Sequence, residues 1–163
     1  MKHLTLIRHA KSDWSEAALV DFDRPLNARG KKAAFIMGQR MAKAGLSPDL
    51  VISSPAKRAR STAKLLAREI ALPKTAISYQ TEIYAASLTT LQQIISSFPD
   101  VAHIALIGHN PALTNLAKWL NPQAPDWLPT CAVINFQLAI ARWENISTGC
   151  GTILFYGDPK NST

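Results

Sequence analysis

Three short segments place histidine or arginine where an apolar run gives way to polar residues: Arg8-His9, Ser53-Ser54-Pro55-Ala56-Lys57-Arg58 and Gly108-His109-Asn110. A neutral imidazole, with an ordinary pKa of about 6.5, offers a nitrogen lone pair that can attack phosphorus and split transfer to water into two easier steps. A guanidinium stays protonated and forks onto two oxygens of a transferring phosphoryl group. Two histidines and two arginines brought to one place are costly without an anion between them, and a phosphoryl group accepts several charge-assisted hydrogen bonds at once. The pattern therefore points to phosphoryl chemistry with a histidine nucleophile and with Arg8 and Arg58 as a clamp. No cluster of carboxylates accompanies these segments to hold Mg²⁺ or Zn²⁺, so a mechanism without metal or other cofactor is the expectation.

Such residues can meet only if the elements carrying them end on one side of the molecule. His3 to His9 reads as a short buried strand running into a polar loop. Asn27 to Ala44 has helix-forming composition, with Asn27 as N-cap, Ala33, Met37, Met41 and Ala44 on one face, and Gly45 at the C-terminal cap. The order repeats: Leu50 to Ser53 is a strand, and beyond Pro55 the residues Ala59, Ala63, Leu66 and Ile70 recur at helical spacing. Ala76 to Tyr79 forms a short strand, and Leu88, Leu91, Ile94, Ile95 and Phe98 mark a helix stopped before Pro99. His103 to Gly108 is the clearest strand, and Asn110-Pro111 opens a helix through Leu113, Leu116, Ala117 and Leu120, with proline at its first position. Cys131 to Ile140 and Gly151 to Tyr156 complete the chain as a hairpin at one edge.

This alternation specifies an α/β fold: a three-layer sandwich with a mostly parallel central sheet, helices on both faces and an edge hairpin near the C-terminus. Ligands of such sheets bind outside the carboxyl ends of the strands, which is where the three segments fall. At 163 residues the chain forms one domain, 1–163, with 47% hydrophobic and 18% charged residues, too apolar to be disordered. Its formal charge of +7 favours anionic partners. The basic run Lys57, Arg58, Arg60, Lys64 and Arg68 lacks interleaved aromatics, so no specific nucleic-acid partner is expected; apart from Arg58 it reads as a solvated helix face. Cys131 and Cys150 are expected as buried thiols, and His3 and His103 as structural. With neither a signal-peptide core nor an apolar stretch of about 20 residues, a cytoplasmic protein without a membrane span is expected.

Four segments, in order, resemble the histidine phosphatase superfamily, the phosphoglycerate mutase-like proteins: Leu6-Ile7-Arg8-His9-Ala10, Asp23-Arg24-Pro25-Leu26-Asn27-Ala28-Arg29-Gly30, Ser53 through Thr62, and Leu106-Ile107-Gly108-His109-Asn110-Pro111. They span most of the chain from Leu4 to about Leu120, and the short length with the RHAKSDW opening resembles the SixA-type phosphohistidine phosphatase branch. The resemblance implies that His9 is the phosphorylated nucleophile, that Arg8 and Arg58 clamp the phosphoryl group, that His109 completes the pocket, and that Arg24 also binds substrate. Two departures stand out. Ala10 replaces the usual glycine of the RHG motif, and no residue is an evident counterpart of the general acid of the mutase and acid-phosphatase branches, Glu82 being the nearest candidate. A phosphohistidine substrate can dispense with that acid, because its leaving imidazole can already carry a proton, whereas an alkoxide needs one.

The leading expectation is a phosphatase acting on phosphohistidine in a phosphotransfer protein. Two other uses of the same residues stay open at this level: hydrolysis of small phosphoesters, and phosphoprotein binding without turnover. Ser12 and Trp14, in the loop after His9, either border the pocket or anchor that loop.

Overall fold

The computed structural model describes residues 1–161. Its six strands are β1 (Lys2–Arg8), β2 (Leu50–Ser53), β3 (Ile77–Tyr79), β4 (His103–Gly108), β5 (Val133–Leu138) and β6 (Gly151–Gly157). The four helices are α1 (Ala28–Lys43), α2 (Lys57–Glu69), α3 (Leu88–Ser96) and α4 (Ala112–Leu120). The sheet order is β3-β2-β4-β1-β5-β6. Parallel pairing joins β3, β2, β4 and β1, and β5 and β6 add two antiparallel strands at the far edge. This is the expected α/β architecture with its edge hairpin.

Period-two alternation sends each central strand's side chains to two separate cores. Leu4, Leu6, Ile104 and Leu106 pack with Leu91 and Ile95 of α3 and Leu113, Leu116 and Leu120 of α4. Ile7, Val51, Ala105 and Ile107 pack on the opposite face with Met37 and Met41 of α1 and Ala63 and Leu66 of α2. Helices thus cover both faces. Each fully buried aliphatic side chain contributes about 1.5–3 kcal/mol to this arrangement. Both core layers reach to the ends of β1, β2 and β4, so the loops leaving those ends stand on packed strands.

Several local expectations shift. The buried stripe of α1 is Ala34, Met37, Gly38 and Met41, at the i, i+3, i+4, i+7 positions of one helical face; Ala33 is half-buried, and Ala44, the C-cap, faces solvent. Gly45 follows with φ 74°, the left-handed conformation expected there. Ile70 leaves the helix as the C-cap of α2. Pro111 takes the N-cap position of α4, while the Asn110 side chain accepts from the Thr114 backbone amide at 3.1 Å, so the capping contact of Asn110 survives one residue farther out than expected. Cys131 lies outside the strand in a left-handed conformation, φ 61°, because its amide turns back to the carbonyls of Arg8 and His9. Cys131 is buried, whereas Cys150 is only half-buried. Among the described residues no helix is long and apolar enough to cross a membrane.

Candidate active site

β2, β4 and β1 are consecutive in the sheet and run in the same direction. Their C-terminal ends therefore bring Ser53, Gly108 and Arg8 to one rim, and the residues that follow, Ser54, His109 and His9, stand side by side. The backbone there is tied across strands: His9 N–H donates to Gly108 O at 3.2 Å, Arg8 N–H to Ala132 O at 3.1 Å, and Cys131 N–H to both Arg8 O and His9 O at 3.1 Å. From α2, Thr62 accepts the Ala10 amide at 3.0 Å and passes its own hydroxyl proton to Arg58 O at 2.7 Å. Ala10 is fully buried, so its methyl group is accommodated where the related motif carries glycine.

His9 is 7% exposed, and its Nδ1 lies 2.7 Å from the carbonyl of Ala10. A carbonyl only accepts, so Nδ1 carries the ring proton and Nε2 keeps its lone pair. Arg58 Nε donates toward that Nε2 at 3.4 Å. Burial, reinforced by Arg58 and Arg8, lowers the His9 pKa to about 4, outweighing the raising effect of the Ala10 carbonyl, so the ring is neutral at pH 7.

The His109 ring stands with its centroid 5.0 Å from that of His9. Its Nε2 is 2.7 Å from Ser54 Oγ, which also accepts the Ala56 amide. With the Ser54 hydroxyl donating to His109 Nε2, the proton of the neutral His109 ring sits on Nδ1. This Nδ1 is buried with no hydrogen-bond partner among the described residues, as is Arg8 Nε. Burial lowers the His109 pKa to about 3, with His9 and Arg58 adding to the effect. Two N–H donors without acceptors beside a lone pair on His9 are what a bound oxyanion would satisfy.

Arg8 is held by a hydrogen bond from its guanidinium to Leu128 O at 3.0 Å and lies over the Trp127 ring. Arg58 is 8% exposed and reaches the loop before α1, donating to Asp21 O at 2.8 Å and to the Asp21 carboxylate at 3.0 Å. A cavity of about 360 Å³ is lined by Arg8, His9, Arg58 and His109, with Asp21 and Trp14 on its wall. All four residues expected at the centre of the site are thus gathered by the fold. Ser12 and Trp14 also border it.

Arg24 is placed differently. It is buried behind the wall, its guanidinium 3.9 Å from the centroid of the Trp14 ring and bonded to Glu16 O, and it does not line the cavity. Glu82 lies exposed on a short 3-10 turn, away from the cavity lining. Lys57 is exposed while Arg58, one residue on, is buried, and His103 is engaged at the opposite end of the sheet with Thr5.

Asp21 is the site residue that sequence reasoning passes over. Its carboxylate bridges Arg58 and the Tyr84 hydroxyl, the latter at 2.5 Å, and the Tyr84 ring stands edge-on to His109 at 5.5 Å. The hydrogen bonds from Tyr84 and Arg58 hold the Asp21 carboxyl below the usual carboxylate range, and the same contact raises the Tyr84 hydroxyl. The one signal in the sequence is that Asp21 lies three residues before the Arg24-Pro25 segment.

The sequence profile of the histidine phosphatase superfamily (branch 1) matches residues 4–106. An uncharacterised chloroplastic protein of Arabidopsis thaliana is 31% identical over 152 residues, covering 88% of this chain and 69% of that protein. An uncharacterised protein of Mycobacterium tuberculosis is 27% identical over 165 residues, covering 94% of this chain and all of its own length. Among solved structures, an Agrobacterium tumefaciens chain given the name phosphohistidine phosphatase SixA superposes with a TM-score of 0.83 at 26% identity, covering 97% of this chain and 98% of that one. The protein histidine phosphatase SixA complexed with tungstate shares the fold, with a TM-score of 0.81 at 21% identity and 97% of each chain covered.

Proposed function

The chain belongs to the histidine phosphatase superfamily, and from that premise we propose that this phosphatase hydrolyses phosphohistidine carried on a protein, by way of a phosphohistidine formed on its own His9. The observation that carries the reading is the His9 ring itself: Nδ1 is committed to Ala10 O, so Nε2, whose lone pair meets only a long contact from Arg58 Nε, is the nitrogen offered to the cavity between Arg8, Arg58 and His109.

In the first step the Nε2 lone pair forms a bond to phosphorus while the substrate's P–N bond breaks and returns its electrons to the leaving imidazole. Arg8, Arg58 and the Nδ1–H of His109 hold the three oxygens whose charge changes during transfer. In the second step water adds to phosphorus, the electrons of the His9–P bond return to Nε2, and dihydrogen phosphate departs. The hydrogen bond to Ala10 O steadies the ring throughout, since the partial positive charge it gains on phosphorylation falls on Nδ1–H. The positive formal charge of the chain suits a phosphorylated protein with an acidic surface.

The test offers the purified protein phosphohistidine proteins and small phosphoesters with a chelator present throughout. Preferential release of phosphate from phosphohistidine is expected. On a substrate chiral at phosphorus, two displacements give net retention; inversion would mean direct attack by water and would remove His9 as nucleophile.

A further inference from the structure

A cationic pocket explains how a phosphoryl group is held but not why a carboxylate stands in its wall. Asp21 lines the same cavity as His9 and His109, and its side chain remains 47% exposed even though Arg58 and Tyr84 both donate to it. An anion there opposes binding of a phosphate, so it requires a compensating use. It does not stand alone against Arg58 either, because Arg58 also donates to the backbone carbonyl of the same residue; the backbone contact already positions the guanidinium.

We infer that the Asp21 carboxylate selects the leaving group, accepting a hydrogen bond from the N–H that a departing imidazole carries on its other ring nitrogen. The inference rests on the phosphohistidine reading above and deepens it. When the ring nitrogen not bonded to phosphorus is protonated, cleavage of the P–N bond releases neutral imidazole, and no proton has to be delivered during the step. A carboxylate beside that N–H favours the protonated ring and so raises the fraction of bound substrate able to react. An ester bears no such N–H, and the oxygen it releases gains negative charge facing the same carboxylate, which opposes departure. Asp21 thereby takes over, for an N-phosphate, the part a general acid plays for an ester, without transferring a proton itself. The two hydrogen bonds it accepts keep it ionised at neutral pH. The Tyr84 ring, whose hydroxyl holds the carboxylate, meets Phe22 edge-on at 5.1 Å.

The experiment compares one peptide in two forms, phosphorylated on histidine and, at the same position, on tyrosine, with wild type and Asp21→Asn. The expected result is that Asp21→Asn lowers the ratio of kcat/KM for the phosphohistidine peptide over the phosphotyrosine peptide at least tenfold, and that Asp21→Glu, which retains the carboxylate, recovers most of the ratio. Equal losses on both peptides, leaving the ratio within threefold of wild type, would show that Asp21 only positions Arg58 and would overturn the inference. Failure of the wild type to hydrolyse phosphohistidine in any protein or peptide would instead overturn the parent reading. Thermal melting of each variant separates these outcomes from loss of fold, and should Asp21→Asn not fold, Asp21→Ser read by the same ratio decides the matter.

Discussion

The Arg58 guanidinium points its Nε at the Nε2 of His9, 3.4 Å away, while each of its two terminal nitrogens gives one N–H to Asp21 and keeps another for a phosphoryl oxygen. One arginine thus joins the group that attacks to the group on the opposite wall, and its position in the first turn of α2 is set by a buried helix rather than by a loop.

Removing the nucleophile should stop the reaction while sparing the molecule. His9→Ala is expected to lower turnover by about 10⁴-fold or more, because no other neutral imidazole presents a free lone pair to the cavity. Among the described residues the ring's hydrogen bonds involve only Ala10 O and Arg58, so circular dichroism should remain that of the wild type. A folded His9→Ala protein of near-normal activity would contradict the mechanism.

Arg58→Ala and Lys57→Ala delete the same charge from adjacent positions. Arg58 is buried against the reacting nitrogen, and its loss is expected to cost about 10²–10³ in kcat, the scale of a single oxyanion donor in a desolvated site. Lys57 is exposed, and its loss should change kcat/KM only a few-fold, an effect that disappears as salt is raised. Equal, salt-sensitive losses in both would refute the clamp.

One buried histidine, His9, and two half-buried ones, His103 and His109, should make the protein acid-sensitive in a defined window. Burial lowers His9 and His103 to about 4 and His109 to about 3, against about 6.5 in an unfolded chain. Between those values the unfolded chain binds more protons than the folded one, so stability is full above about pH 6.5 and falls as the pH drops toward 4. Urea midpoints at pH 7 and pH 5 should show the loss, and NMR titration should find these rings still neutral at pH 5.5. A His9 that titrates near 6.5 would oppose this account.

Gly30 lies in the first turn of α1, its amide on Asn27 Oδ1 and its Cα pressed against the carbonyl of Lys11; a Cβ built there would come within 2.2 Å of that oxygen. Gly30→Ala must push the Lys11–Ser12 loop outward. The expected result is destabilisation by about 1–3 kcal/mol together with reduced kcat/KM, because Lys11 and Ser12 line the cavity. Denaturant unfolding that matched the wild type would show that the loop can move freely.

Arg8, His9, Arg58 and His109 were legible in the sequence because each follows an apolar run, and a parallel sheet puts the ends of such runs together. Asp21 was not. It sits in a polar loop with Asp13, Glu16 and Asp23 nearby, and only the path of the chain turns that one carboxylate toward Arg58. Tyr84 is hidden for the same reason, since its partner lies 63 residues away on a separate loop. Arg24 is less direct than its place in the motif suggests: it is not among the residues lining the cavity, and its guanidinium stacks on Trp14, which is. At Cys131 an apolar run continued past the strand's true start, because one amide shared between two carbonyls outweighed local preference.

The central position of β1 has a consequence for how the protein is made. Its two neighbours arrive late: 98 residues separate Thr5 from His103 of β4, whose ring its hydroxyl meets, and 130 separate it from Asn135 of β5. On the ribosome the strand bearing Arg8 and His9 therefore emerges long before either side of its ladder exists, and closing such distant contacts is slow. The first reactive group to be synthesised is among the last to be organised, so a nascent chain carries its histidine harmlessly until β4 and β5 have emerged and closed around it.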